Sequence, residues 1–285
     1  MAQILSGKEV SAAVKKKAAL EVERLKERGI VPGLAVILVG DDPASKVYVG
    51  NKKKACELCG IRSFEYLIPA SASEDELYSL VEKLNNDPEV NGILCQLPLP
   101  EGFDEQRVIN TIKPEKDVDA FHPENVGHIM IGDHTMLPCT PAGIMEMLDY
   151  YGIDPDGKSC VVIGRSNIVG KPMAMLMLQR NATVTICHSH TKGLKEIVSQ
   201  ADIVVASVGK PGFVTADMIK EGAIVIDVGI NRLENGKLCG DVDFEACEPK
   251  ASYITPVPGG VGPMTIATLM QNTVTAAEIQ NRKDD

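Results

Sequence analysis

The sequence predicts a two-domain α/β protein built on mostly parallel sheets. Three observations carry that prediction. At 285 residues the chain exceeds the usual size of one core, and 44% of it is hydrophobic, enough to fill two. Short, continuously apolar runs alternate with amphipathic stretches, the order expected of parallel strands joined by crossover helices. A segment bounded by glycines, Gly164-Arg165-Ser166-Asn167-Ile168-Val169-Gly170, falls between one such run and a helical stretch.

Taken in order, Ser6-Gly7-Lys8-Glu9 has the form of a capping box, and Val10, Val14, Ala18, Val22 and Leu25 recur at helical spacing until Gly29. Residues 34–39 are apolar throughout and partly β-branched, which predicts a strand buried on both faces. Gly40 and Pro43 turn the chain into a second helix over 44–58, with Gly60 beyond its end. Ser73-Glu74-Asp75-Glu76 opens a further helix, residues 90–95 form another buried strand, and Gln96-Leu97-Pro98-Leu99-Pro100 follows as a rigid loop. Thr140-Pro141 is a helix start, with the helix over 142–151, and a second domain begins there. Strands follow at 159–163, 183–187, 203–207 and 223–228, with short helices in 193–200 and 215–221 between them. Pro263 stands near the first turn of a last helix over 264–280, and Asp284-Asp285 is expected to fray.

Composition removes several function classes. A net charge of −10 argues against a nucleic-acid surface, which needs a dense basic field, and 4% aromatics without Trp lacks stacking residues for single strands. The first eight residues lack the basic-then-apolar pattern of a secretory signal, and no apolar run reaches membrane-spanning length, so a cytoplasmic protein with no membrane partner is expected. The eight cysteines mostly lie inside apolar segments, as buried thiols do. Cys56-Glu57-Leu58-Cys59 has no second pair at zinc spacing, and His188 with His190 has few carboxylates nearby, so no metal is expected.

The Gly164 loop sits where a dinucleotide pyrophosphate meets a helix N-terminus. Its spelling departs from G-x-G-x-x-G, because Ser166 takes the second glycine's place, and alone it fits a plain strand-to-helix turn equally well. The end of the next strand adds information. NAD enzymes usually carry an acid there for the ribose 2′-hydroxyl, but this chain reads Cys187-His188-Ser189-His190-Thr191. Ser189 and Arg165 can instead bond a 2′-phosphate, which favours NADP over NAD.

Tyr48 and Lys52, four apart on the second helix, share a face, and an aromatic beside an amine suits a flat heterocycle. On spacing alone they fit solvated neighbours, as Lys53 and Lys54 do. Gln96 follows an apolar strand at its carboxyl end, where α/β sheets place ligands. Lys116-Asp117-Val118-Asp119-Ala120-Phe121-His122 offers two acids for a ligand or for turning the backbone.

Together, Tyr48-x-x-x-Lys52, Gln96-Leu97-Pro98-Leu99-Pro100, Lys116 to Phe121, Pro138-Cys139-Thr140-Pro141-x-Gly143, the Gly164 loop and Pro258-Gly259-Gly260-Val261-Gly262-Pro263-Met264-Thr265 resemble one family along nearly the whole chain. It is the bifunctional methylenetetrahydrofolate dehydrogenase/methenyltetrahydrofolate cyclohydrolase family. The resemblance implies a folate-binding catalytic domain at 1–139, a Rossmann-like NADP-binding domain at 140–263, and a final helix, 264–285, returning to the first domain. It implies NADP+-dependent oxidation of 5,10-methylenetetrahydrofolate, hydrolysis of the methenyl product to 10-formyltetrahydrofolate, and a homodimer serving purine and amino-acid biosynthesis. By similarity Lys52 is the central catalytic residue, Tyr48 positions the folate, Gln96 tunes Lys52, and Asp119 holds the pterin. Pro258 and Gly259 lie beside the substrate, while Gly164, Arg165, Ser166, Ser189 and Ile230 bind the cofactor.

One residue departs from the pattern: Ala120 stands where the family commonly has glycine. If that position uses a positive φ, alanine costs about 1 kcal/mol and re-aims Asp119. A dehydrogenase without the hydrolytic half, or a non-catalytic NADP-binding sensor, would use the same motifs.

Overall fold

Residues 1–282 are described by a computed structural model, in which the apolar runs become the centres of two parallel sheets. In chain order the elements begin with β1 (Gln3–Ile4), α1 (Gly7–Glu27), β2 (Gly33–Val39), α2 (Pro43–Cys59), β3 (Arg62–Ile68), α3 (Glu74–Asn85) and β4 (Gly92–Cys95). Next come α4 (Glu105–Thr111), a 3₁₀ turn at Pro114–Lys116, α5 (Pro123–Ile131) and α6 (Cys139–Tyr150). There follow β5 (Ser159–Ile163), α7 (Gly170–Gln179), β6 (Thr183–Cys187), α8 (Leu194–Val198), β7 (Ile203–Ala206), a 3₁₀ turn at Ala216–Met218 and β8 (Ile224–Asp227). The last elements are β9 (Asn231–Arg232), β10 (Leu238–Cys239), α9 (Phe244–Cys247), β11 (Tyr253–Ile254) and α10 (Gly262–Gln280). Asp284-Asp285 lies outside the described residues.

The chain divides into two compact units. One comprises Ala12–Cys139 with Ile266–Asp285, the other Met1–Ser11 with Thr140–Thr265. The first eleven residues, expected with the N-terminal domain, therefore cluster with the later strands instead. The reason is a backbone pairing: β1 runs parallel to β11, with Gln3 opposite Tyr253 and Ile4 opposite Ile254.

In the first unit β2 is the centre of a three-stranded parallel sheet ordered β3-β2-β4. Every residue of β2 is buried, and its alternate side chains enter two cores. Leu34, Val36 and Leu38 pack with Ala18 and Val22 of α1 and with Leu269, Met270 and Val274 of α10. Ala35, Ile37 and Val39 pack with Leu77, Val81 and Leu84 of α3 and with Ile93 of β4. A run of apolar residues without alternation is the sequence form of this two-sided burial. Three elements of this unit lie outside the predicted ones. β3 is an edge strand whose side chains are mostly part-exposed, and α4 and α5 are short and partly polar. None of these leaves a long periodic signal.

The second unit holds a six-stranded parallel sheet ordered β1-β11-β8-β7-β5-β6. From β5 the chain adds β6 on one side and then crosses to β7 on the other. The order thus reverses between β5 and β7, and such a switch point opens a crevice at the carboxyl ends of those strands. The 215–221 helix is reduced to a 3₁₀ turn, and the 193–200 helix to the five residues of α8. Among the described residues no helix is long and apolar enough to cross a membrane.

Candidate active site

The start of α2 is what aims Lys52. Asp42 caps the helix, its Oδ2 accepting from the Ser45 N–H at 2.7 Å, and Pro43 occupies the first turn, where no N–H is needed. The helix therefore runs a residue longer at each end than the predicted 44–58. Tyr48 and Lys52 fall one turn apart on it but differ in environment, Tyr48 being 40% exposed and Lys52 only 7%. Lys53 is the solvated neighbour, paired with Glu65 at 2.8 Å.

Gln96 meets Lys52 from β4. Its backbone N–H continues the sheet by donating to the Ile37 carbonyl at 2.9 Å. Its side-chain Nε2 donates to the Leu97 carbonyl at 2.7 Å, which leaves Oε1 to accept from Lys52 Nζ at 2.8 Å. Because the nitrogen end already has an acceptor, the amide presents its oxygen to the amine.

Asp119 reaches the same place through a bridge in which Asp117 pairs, parallel, with Ile93 of β4. Buried Asp117 fixes the following turn, its Oδ2 accepting from the His122 N–H at 2.7 Å and from Asn125 Nδ2 at 3.0 Å. Ala120 within that turn has φ 55, so the departure from glycine falls on a left-handed residue, and its side chain is fully buried. Cys139 stands beside the acid, 3.7 Å from Asp119 Oδ1 and 3.4 Å from the Val118 carbonyl. Asn272 of α10 bonds the carbonyls of Val118 and Leu137, each at 2.8 Å.

Burial and mutual charge set the protonation of this cluster. Desolvation pushes the Lys52 amine down from its ordinary value, and the Asp119 carboxylate opposes it. Burial raises the Asp119 carboxyl to about 6, and here the Lys52 ammonium opposes. The Cys139 thiol lies well above its ordinary value, pushed first by burial and then by Asp119, so it faces the acid as a neutral group. Near neutral pH the site thus offers an ionised acid, an amine displaced toward neutrality, and an amide oxygen fixed against it.

In the other unit the Gly164 loop follows β5. Gly164 has φ 134, and a Cβ there would lie 2.4 Å from the Ser207 carbonyl oxygen; one on Gly170 would lie 2.4 Å from the Gly164 carbonyl oxygen. Both ends of the loop are therefore pressed on backbone, and only glycine fits. Ser166 Oγ accepts from the N–H groups of Val169 and Gly170 at 3.2 and 3.3 Å, folding the loop into α7. That is the physical reason a serine stands in the second glycine's place. β5 and β6 are hydrogen-bonded neighbours with Ile163 opposite Cys187, so Arg165 and Ser189 leave adjacent carboxyl ends, both exposed. Thr191 closes the turn around Ser189, its Oγ1 accepting from the His188 N–H at 2.8 Å. Two donors without an acid between them fit the 2′-phosphate of NADP.

The structure thus gathers Lys52, Gln96 and Asp119, with Tyr48 on the same helix as Lys52, in one unit. Arg165, Ser166, Ser189, Ile230, Pro258 and Gly259 belong to the other. Ile230 follows β8 and is 46% exposed, and Pro258 is exposed on the loop after β11. Sequence reasoning read Asp117 only as one of two acids for a ligand or for turning the backbone, and its bond from the His122 N–H does the latter; it gave no part to Cys139, which lies inside a quoted motif. It also passed over Asp227, whose carboxyl burial raises to about 6, and Asp241, which is fully buried. An acid ending the apolar run Ile224–Asp227 is the signal that marks the former.

The two groups of site residues fall in two family models of one family. The family model for the catalytic domain of tetrahydrofolate dehydrogenase/cyclohydrolase matches residues 5–119, and that for its NAD(P)-binding domain matches 138–281. The bifunctional protein FolD of Acetivibrio thermocellus is 61% identical over 279 residues, 98% of each chain. The crystal structure of the bifunctional FolD methylenetetrahydrofolate dehydrogenase/cyclohydrolase from Campylobacter jejuni superposes with a TM-score of 0.96 at 50% identity, covering 98% of this chain and 100% of that one. The Trypanosoma brucei methylenetetrahydrofolate dehydrogenase-cyclohydrolase, complexed with NADP cofactor and inhibitor, gives a TM-score of 0.95 at 40% identity over 99% of both chains.

Proposed function

The chain belongs to the tetrahydrofolate dehydrogenase/cyclohydrolase family, and from that premise we propose that the Lys52 cluster is the hydrolytic centre of a bifunctional enzyme. The protein oxidises 5,10-methylenetetrahydrofolate to 5,10-methenyltetrahydrofolate with NADP+ and hydrolyses the product to 10-formyltetrahydrofolate. The observation that carries the residue assignment is the buried Lys52 amine held 2.8 Å from Gln96 Oε1.

The oxidation needs placement more than it needs a protein nucleophile, because the folate nitrogens supply electron density as the hydride leaves. Tyr48 offers the folate a half-exposed ring, and Asp119, ionised above about pH 6, accepts from pterin N–H groups. Pro258 and Gly259 keep the substrate contact that family similarity gives them. Gly164, Arg165, Ser166, Ser189 and Ile230 hold NADP+, which supplies the hydride acceptor when bound.

The hydrolysis needs a base. Water adds to the one-carbon bridge and must lose a proton, and an amine that burial displaces toward neutrality takes it. Gln96 Oε1 accepts a hydrogen bond from the resulting ammonium and keeps it aimed. Collapse of the adduct breaks one C–N bond and leaves the formyl group on the other nitrogen, with one proton released overall. Lys52→Met tests this role: hydrolysis of methenyltetrahydrofolate is lost while NADP+ binding persists, and unchanged hydrolysis refutes it.

We further propose a cytoplasmic homodimer whose product feeds purine and amino-acid biosynthesis. All eight cysteines are free thiols, which accords with a reducing compartment. Sedimentation of the purified protein as a monomer would contradict the dimer.

A further inference from the structure

Two buried carboxylates of the sheet unit remain outside the chemistry described above. Asp227 ends β8, and Asp241 follows β10. Asp227 Oδ1 accepts from the N–H groups of Gly229 at 3.0 Å and Asp241 at 2.8 Å, and its Oδ2 from Val242 at 2.9 Å. Asp241 in turn collects four donors. Its Oδ2 takes the N–H groups of Val208 at 2.6 Å and Gly209 at 2.9 Å; its Oδ1 takes Lys210 N–H at 2.8 Å and Asn231 Nδ2 at 2.9 Å. The two acids also press on each other's loops. A Cβ on Gly240 would lie 1.8 Å from Asp227 Oδ2, and one on Gly229 would lie 2.3 Å from Asp241 Oδ1.

The segments held by Asp241 are the loops at the carboxyl ends of β7 and β8. Residues 208–210 follow β7, one of the two strands that flank the switch point, and the adjoining Ser207 carbonyl is the backbone on which Gly164 is pressed. Ile230 lies between Gly229, which abuts Asp241, and Asn231, which bonds it. Three successive backbone N–H groups aimed at one point form an anion-binding concavity. Here a resident carboxylate fills it, so the loop is shaped before any ligand arrives.

We infer that Asp241 is a positioning residue for the cofactor half-site, fixing the loop 208–210 and Ile230 so that the nucleotide meets a preformed crevice. The inference rests on the reading that the carboxyl ends of β5 to β8 hold NADP+. Asp241→Asn probes it with little change of volume. Each carboxylate oxygen receives two donors. An NH2 in place of Oδ2 faces the Val208 and Gly209 N–H groups; one in place of Oδ1 faces the Lys210 N–H, while the Asn231 amide can turn its oxygen to accept, so at least one backbone bond is lost and the remaining acceptor carries no charge. Asn231→Ala removes one donor and keeps the carboxylate.

The test titrates NADP+ into wild-type and variant proteins by calorimetry and, separately, follows hydrolysis of methenyltetrahydrofolate without nucleotide. Asp241→Asn raises the NADP+ Kd by about tenfold or more and Asn231→Ala by about threefold, the range expected for losing the carboxylate's charge together with a backbone bond, and for losing one side-chain donor. Hydrolytic turnover stays within about twofold, as it uses the Lys52 cluster of the other unit; a residue important only for folding would depress both readouts together. An unchanged NADP+ Kd in folded Asp241→Asn, or equal losses of binding and hydrolysis, overturns the inference. If that variant does not fold, an unchanged Kd in Asn231→Ala overturns it. Absence of NADP+ binding by the wild-type protein refutes the underlying reading instead.

Discussion

Lys52 Nζ donates to Gln96 Oε1 at 2.8 Å, and the same glutamine is locked from behind by the Leu97 carbonyl. The amine therefore faces a neutral acceptor that cannot turn its nitrogen end toward it, and burial, rather than a neighbouring carboxylate, dominates its protonation. Replacing that neutral acceptor with a charged one reverses the balance. Gln96→Glu sets a carboxylate against Lys52 and raises the amine's pKa. Hydrolysis at pH 7.5 falls as the neutral fraction of the amine shrinks, and the pH–rate profile moves to higher pH. An unshifted profile would show that Lys52 does not titrate in the rate.

Asp119 gives a second pH dependence, of the same sense. Burial raises its carboxyl to about 6, so the ionised form proposed to accept pterin N–H groups is lost as pH falls through that value, and the KM for methylenetetrahydrofolate is expected to rise. For stability the raised pKa means that the folded state binds this proton more tightly than the unfolded one. The buried charge therefore costs stability above about pH 6, and the cost is relieved as pH falls from there toward the ordinary carboxylate range. Asp119→Asn accordingly melts no lower than wild type at pH 7.5, while its folate KM is higher by about tenfold or more. A lower Tm with unchanged KM would assign Asp119 to the fold alone.

Ala120 separates backbone strain from side-chain chemistry. A non-glycine residue in the left-handed region costs roughly 1–2 kcal/mol, and losing one buried methyl costs about 0.8 kcal/mol. Ala120→Gly thus stabilises the protein by up to about 1 kcal/mol in denaturant unfolding. Destabilisation of that size would mean that the methyl's packing outweighs the strain.

How far these residues were legible in the sequence depended on the kind of physics each expresses. β2 announced itself because two-sided burial writes an unbroken apolar run, and α2 because its turn signals bracket it. Tyr48 and Lys52 were visible only as a spacing that surface residues also adopt. What separates Lys52 from Lys53, burial against Gln96 rather than a surface pair with Glu65, exists only once β4 and α2 are packed. Asp241 was illegible for a related reason: three of its four partners are backbone N–H groups of another loop, and such contacts leave no trace in side-chain spacing. Asp117 was legible only as an acid that could turn the backbone, which its bond from the His122 N–H does. The displacement of residues 1–11 to the other unit follows from a two-residue pairing, β1 with β11, too short for any periodicity.

The cofactor choice proposed for Arg165 and Ser189 rests on their leaving neighbouring strand ends. Arg165→Ala weakens NADP+ by about tenfold or more and leaves NAD+ nearly unchanged, since only the former carries a 2′-phosphate for a charged donor. Equal losses for both nucleotides would place Arg165 elsewhere on the cofactor.

The central claim, that one chain performs both steps with NADP+, is tested most directly by a single spectrophotometric experiment. Methylenetetrahydrofolate is supplied with NADP+ or with NAD+, and reduced nucleotide and the methenyl intermediate are followed together. The prediction is rapid NADPH formation, a slower reaction with NAD+, and a methenyl signal that stays below the NADPH formed as 10-formyltetrahydrofolate appears. NADPH accompanied by an equal, persistent methenyl signal would contradict the hydrolytic half, and no folate-dependent NADPH at all would contradict the whole.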